Sequence, residues 1–230
     1  MKTIGMIGGM SWESSAEYYR RINEQVKLRL GPAHSADLVM VSLDFHSIAQ
    51  LELEERWEEL ATILITAITR LEKAGAEFVI MASNTVHKVA DVVQQSIHIP
   101  LVHIAEVAAE EIRKSGISTV GLLGTRFVME QNFYTNRFRS HGMNVVLPNR
   151  AGRAYVHNVI YNELCAGKLI PESKQRMMTI MLDLQQKGAQ AVVLGCTELP
   201  LLISAQDTSL RLFDTMALHT EKAVTLALAG

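Results

Sequence analysis

A chain of 230 residues with 48% apolar and 20% charged residues has ordinary globular composition, enough for one large core or two small ones. Its formal net charge of −2 supplies no basic field for nucleic acid or acidic membranes, so a small-molecule partner is expected. No apolar run reaches the roughly 20 residues of a bilayer span, and Met1-Lys2-Thr3-Ile4-Gly5 runs into a strand pattern without a signal-peptide layout, which points to a cytoplasmic protein.

Taken in chain order, short β-branched runs alternate with longer stretches of helical period, the pattern of strand-helix units on a largely parallel sheet. The first half reads as strand 3–8, helix 12–29, strand 38–43, helix 54–73, strand 77–82 and helix 86–95. In the long helix, Trp57, Leu60, Leu64, Ile68 and Leu71 form one apolar stripe, with Glu54, Glu55, Glu58 and Glu59 on its N-terminal turns. The second half reads as strand 119–123, helix 129–141, strand 144–147, helices 153–166 and 172–187, and strand 190–194. A short strand at Leu101–His103 and a closing helix at 215–228 are expected to tie the halves together.

The halves repeat each other. Ala74-Gly75-Ala76-Glu77-Phe78-Val79-Ile80-Met81-Ala82-Ser83 matches Lys187-Gly188-Ala189-Gln190-Ala191-Val192-Val193-Leu194-Gly195-Cys196. At nearly the same shift, Thr3-Ile4-Gly5-Met6-Ile7-Gly8 matches Thr119-Val120-Gly121-Leu122-Leu123-Gly124. The expected fold class is therefore α/β, with two pseudo-symmetric domains from an internal duplication, each a mainly parallel sheet flanked by helices. The expected domains are residues 1–100 joined by the C-terminal segment 215–230, and residues 101–214. The repeat makes Ser83 and Cys196 equivalent, and a pseudo-two-fold arrangement would set them on opposite faces of one carbon atom.

Ligands of open parallel sheets bind beyond the carboxyl ends of strands, and the polar motifs of this chain fall there. Gly8-Gly9-Met10-Ser11 follows the first strand and Ser83-Asn84-Thr85 the third. Gly124-Thr125 and Gly195-Cys196-Thr197-Glu198 take the same places in the second half. Cys196 precedes a helix-like start, Thr197-Glu198-Leu199-Pro200, and a helix N-terminus there would lower the thiol from a pKa of about 8.5 into a usable range. The plainer reading is a buried cysteine serving as a small hydrophobe.

Ser83 also reads as a helix cap. Its hydroxyl is a much weaker acid and base than a thiol, which favours positioning a water or the substrate. The glycines after the first strand lack the G-x-G-x-x-G spacing of dinucleotide sites, but their amides suit a carboxylate, with Ser11 capping the helix behind them. His87, His98 and His103 read as ordinary core or surface histidines, of which only His87 lies near Ser83. Cys165 reads as packing. Lys168, past a helix end, is solvated or reaches a substrate carboxylate. The two cysteines are too few for a disulfide framework and lack metal-ligand spacing.

Four ordered motifs together resemble the aspartate/glutamate racemase family across essentially the whole chain. They are Ile4-Gly5-Met6-Ile7-Gly8-Gly9-Met10-Ser11-Trp12-Glu13-Ser14, Ala82-Ser83-Asn84-Thr85-Val86-His87, Leu123-Gly124-Thr125-Arg126 and Leu194-Gly195-Cys196-Thr197-Glu198-Leu199-Pro200. The resemblance implies two α/β domains with the site between them, no pyridoxal phosphate or other cofactor, no metal, and a homodimer. In that family paired cysteines remove the α-proton of an acidic amino acid from one face and return it on the other. Here the first cysteine falls on Ser83, so the chain is similar to the branch with a hydroxyl in that place. The resemblance makes Cys196 the base toward an L-amino acid, with Ser83 opposite. It makes Met10, Ser11, Asn84, Thr85, Thr125 and Thr197 substrate binders. Arg56, Arg126 and Lys168 are candidate cations for a side-chain carboxylate. Two competing readings are a single-cysteine cofactor-independent decarboxylase and a catalytically decayed binding protein for acidic amino acids.

Overall fold

A computed structural model describes residues 1–229; Gly230, which closes the expected segment 215–230, lies outside the described residues. The chain divides into two compact units, Met1–Ile104 with the segment from Met216 on, and Ala105–Thr215.

The first unit holds β1 (Ile4–Gly8), α1 (Trp12–Leu30), β2 (Leu38–Ser42), α2 (Phe45–Leu53), α3 (Trp57–Lys73), β3 (Phe78–Met81), a 3₁₀ turn at Thr85–Val89 and α4 (Ala90–Ser96). Its three strands are parallel in the order β2-β1-β3. β1 and β3 are buried at every residue, as central parallel strands covered on both faces must be. The apolar stripe of α3 lands on this sheet: Leu60, Leu64, Ile68 and Leu71 are fully buried among Ile7, Val79 and Met81.

The second unit is built from most of α5 (Ile104–Lys114), then β4 (Thr119–Gly124), α6 (Arg126–Glu130), α7 (Asn132–Ser140), β5 (Asn144–Val146) and α8 (Arg150–Asn162). A 3₁₀ turn (Leu164–Ala166), α9 (Pro171–Gln186), β6 (Ala191–Gly195), α10 (Leu199–Leu202), a 3₁₀ turn (Ala205–Asp207) and β7 (Arg211–Asp214) follow. Its strands are parallel in the order β5-β4-β6-β7. The closing helix, α11 (Thr215–Leu228), returns the chain to the first unit, where Lys2 N–H donates to the Ala227 carbonyl at 2.8 Å. No described helix is long and apolar enough to cross a membrane.

The duplication reaches down to single hydrogen bonds. Gly75 and Gly188 end their helices at φ +93° and +94°, and after each the next residue donates back to the helix, Ala76 to Leu71 and Ala189 to Leu184, both at 3.0 Å. The left-handed φ is the reason both positions are glycine. Glu77 and Gln190 then accept the amides of Thr3 and Thr119 through their side-chain oxygens, at 3.0 and 3.1 Å.

Several expected elements differ from those observed. The expected helix 54–73 begins at Trp57, because Glu55 takes φ +56° and separates α3 from α2, which sequence periodicity did not mark. The expected helix 129–141 is two helices with Gln131 in extended conformation between them. The Leu101–His103 strand is a single parallel bridge from Leu101 to Val79. Its counterpart in the repeat, β7, is a full strand that went unrecognised, as did α5.

Candidate active site

In the first unit, β1 and β3 pair side by side, so the loops leaving their carboxyl ends are neighbours. Gly9 turns at φ +87°, and a Cβ there would lie 2.0 Å from the Leu43 carbonyl oxygen; only glycine fits. Ser11 caps α1, its hydroxyl accepting the Ser14 amide at 3.3 Å. Met10 sends its side chain into the core beside Ile7, so what it offers a ligand is main chain. After β3 come Ser83, Asn84 and Thr85, all buried. No side chain caps the 3₁₀ turn that begins there, so the helix-cap reading of Ser83 does not hold. His87 reaches back instead, with Nδ1 2.7 Å from the Ser83 carbonyl oxygen.

The second unit repeats the layout on β4 and β6, which are paired through Gly124 and Gly195. Thr125 is the counterpart of Ser11 and caps α6 by accepting the Val128 amide at 3.3 Å. Cys196 is 7% exposed at the carboxyl end of β6 and packs among Leu194, Leu199 and Leu202. Its thiol donates to Glu198 Oε2 at 3.0 Å, and the Thr197 hydroxyl donates to the same oxygen at 2.7 Å. Glu198 is itself buried.

The electrostatics of this group correct the expectation of a lowered thiol pKa. Burial, then the Glu198 carboxylate, then Cys165 hold the Cys196 thiol well above its ordinary range. The helix after it explains the difference. α10 is only four residues long, and its N-cap is Glu198. The sulfur therefore meets a carboxylate, whose charge opposes a thiolate, where a long helix would have offered aligned peptide dipoles. Cys165 packs, as expected, against the core that contains Cys196, and so shares its neighbourhood.

Of the candidate cations, Arg56 belongs to the first unit and Arg126 and Lys168 to the second. Arg56 lies at the surface between Glu54 and Glu59, at 2.9 and 2.6 Å. Arg126 is exposed, its guanidinium carbon 5.1 Å from the Phe127 ring centroid. Lys168 is exposed just past Gly167, which turns at φ +70° after the Cys165 turn. Among the described residues no group of three or more His, Cys, Asp or Glu side chains is placed to hold a metal ion. Glu198 is a candidate group that residue-by-residue reading passes over; its signal is a carboxylate two positions beyond the cysteine, just after a buried strand.

Chemically, the second unit presents a thiol with a proton acceptor already bonded to it, and the first presents a hydroxyl at the repeat-equivalent position. Comparison with other proteins gives this layout its context. A structure from Yersinia pestis, described as a candidate Asp/Glu racemase, is 44% identical with a TM-score of 0.93, covering 99% of this chain and 100% of that one. An aspartate racemase homologue from Pyrococcus horikoshii OT3 is 37% identical with a TM-score of 0.86, covering 99% of both chains. The broad specificity amino-acid racemase RacX of Bacillus subtilis (strain 168) is 22% identical over 98% of both. The family described as Asp/Glu/Hydantoin racemase matches residues 7–223. With that match spanning nearly all of both units, the chain belongs to the Asp/Glu/Hydantoin racemase family and is, as an enzyme, an isomerase of the racemase class.

Proposed function

We propose that this racemase inverts acidic amino acids, aspartate or glutamate, without pyridoxal phosphate or metal, as a cytoplasmic homodimer. Cys196 removes the α-proton of the L-isomer, and Ser83 or a water it holds supplies a proton to the opposite face. The observation that carries the reading is the Cys196–Glu198 pair at 3.0 Å, with Cys196 at the position of its repeat that Ser83 takes in the other. A thiol held above its ordinary range is a poor resting base, and Glu198 offers a route around this. As substrate settles, the carboxylate takes the thiol proton, and the thiolate takes the α-proton from carbon. The carbanion is then protonated from the Ser83 side, and exchange with solvent resets both groups.

An α-proton next to a carboxylate is only weakly acidic, so the negative charge that develops needs donors already in place. Amides of the Gly9-Met10-Ser11 and Ser83-Asn84-Thr85 loops, with the Asn84, Thr85, Thr125 and Thr197 side chains, are suited to the α-carboxylate and amino group. Lys168, three residues beyond Cys165, is the cation we assign to the side-chain carboxylate.

The test is proton NMR of L- and D-aspartate and glutamate in deuterated water. Loss of the α-proton signal from an L-substrate, accompanied by D-isomer and abolished by Cys196→Ala, is the expected result. No exchange from any of the four would overturn the reading, and carbon dioxide release from a substituted malonate would replace it with decarboxylation.

A further inference from the structure

Ser83 and Cys196 are equivalent in the repeat, but their backbones are secured differently. The Cys196 carbonyl accepts the Leu199 amide at 3.2 Å, a bond within the main chain. At Ser83 the following segment is a 3₁₀ turn, and the His87 amide bonds the Asn84 carbonyl at 3.3 Å. In an α-helix that amide would have served the Ser83 carbonyl. The His87 side chain takes over, with Nδ1 2.7 Å from the Ser83 oxygen.

A carbonyl can only accept, so Nδ1 carries the proton and Nε2 is left as a bare acceptor. Nε2 is buried and makes no hydrogen bond; the nearby Val102 carbonyl takes its bond from His219 Nε2 at 2.8 Å. A leucine in this place would fill the space without the roughly 1–3 kcal/mol cost of a buried unsatisfied polar atom. The ring also packs against two other imidazoles. His103 and His219 lie 4.7 and 5.9 Å away, centroid to centroid, and His219 Nδ1 accepts from the Tyr18 hydroxyl at 2.9 Å. Burial and these two neighbouring imidazoles keep His87 neutral.

Building on the proposed racemase reading, we infer that His87 is a positioning residue for the Ser83 face: its Nδ1–H clamps the Ser83 carbonyl and so aims the Ser83 hydroxyl at substrate. The chemistry at Cys196, in the other unit, does not depend on this clamp. Loss of the clamp should therefore uncouple two rates, α-proton exchange of the L-isomer and formation of the D-isomer from it.

Both rates are measured together by NMR and chiral chromatography for the wild type, His87→Leu and His87→Asn, with the melting temperature of each. Leucine removes the donor, and asparagine keeps an N–H on a shorter arm. The expected result is a tenfold or greater fall in D-isomer formation for His87→Leu, exchange within about threefold of wild type, and substantial recovery of inversion in His87→Asn. Equal losses of both rates, no loss of either, or an asparagine variant no better than leucine would overturn the clamp while leaving the racemase reading intact. Absence of exchange in the wild type would instead remove the racemase reading on which the clamp rests.

Discussion

At the residue scale, Glu198 sets the behaviour of Cys196, and its two effects oppose each other. Its charge discourages a thiolate at rest, and its oxygen is the nearest acceptor for the thiol proton when one is needed. Glu198→Gln should remove both. Without the charge, the thiol in Cys165→Ala background should titrate at lower pH, followed by thiolate absorbance near 240 nm. Without the acceptor, α-proton exchange should fall by on the order of 10²-fold or more, the usual worth of a placed proton acceptor. A Glu198 that acts only through packing would slow exchange without lowering the thiol titration. Lys168→Met tests a different point: a raised KM for an acidic substrate, with kcat little changed, is expected if this ammonium grips the side-chain carboxylate in ground and transition states alike.

Among the elements, the two loops that leave the first strand of each unit are built alike and can be tested alike. Ser11 and Thr125 each cap the next helix, so Ser11→Ala and Thr125→Ala should each lose about 1 kcal/mol in urea unfolding. Gly9→Ala should be much worse. The residue stands at φ +87° with the Leu43 main chain where a Cβ would go, and flexible side chains cannot relieve a backbone clash. Failure to accumulate as folded protein, or a loss of several kcal/mol, is expected; near-wild-type stability would show that the loop adopts another path. Elements with strong periodicity were legible from sequence: β1, α1, β3, β6 and α11 fall within a residue or two of the expected spans. The sequence pattern does not mark α2, because its nine residues are too few to show a clear helical period; its start rests on Asp44, whose side chain caps it by accepting the Ser47 amide. β7 was missed because Arg211-Leu212-Phe213-Asp214 is too short to show alternation, and only its pairing with β6 makes it a strand.

Across the whole molecule, the buried histidines give the two units different responses to acid. His219 is fully buried and lowered to about 4, and His87 is shifted the same way by burial. Both are neutral when folded and would take protons once unfolded near pH 6.5, so acid favours the unfolded chain. The stability that His219 contributes is present above pH 6.5 and is lost as pH falls toward 4, on the order of 3 kcal/mol. Glu17, lowered to about 2 mainly by its hydrogen bond to Arg20, adds a loss that begins near 4.5 and continues below it. All three belong to the first unit. In the second, His157 is shifted down as well but is only half buried. Asp207, lowered to about 2 mainly by its hydrogen bond to Lys174, adds a loss there only below about pH 4, so near pH 5 the buried histidines of the first unit decide. Hydrogen exchange at pH 5 should therefore show β1 and β3 losing protection before β4 and β6; the reverse order would contradict it.

The sequence by itself determined the alternation of strands and helices, the duplication and the positions of Ser83 and Cys196 in the repeat. These follow from local periodicity and from motifs that survive as strings of residues. It also carried the family resemblance, because four motifs stood in order along the chain. Tertiary structure alone decided the electrostatic character of the thiol and the bond that secures Ser83. Each depends on groups brought together by burial, a carboxylate turned back onto a sulfur and an imidazole folded onto a carbonyl. Side-chain direction and desolvation have no period in a sequence, so only the packed chain could fix them.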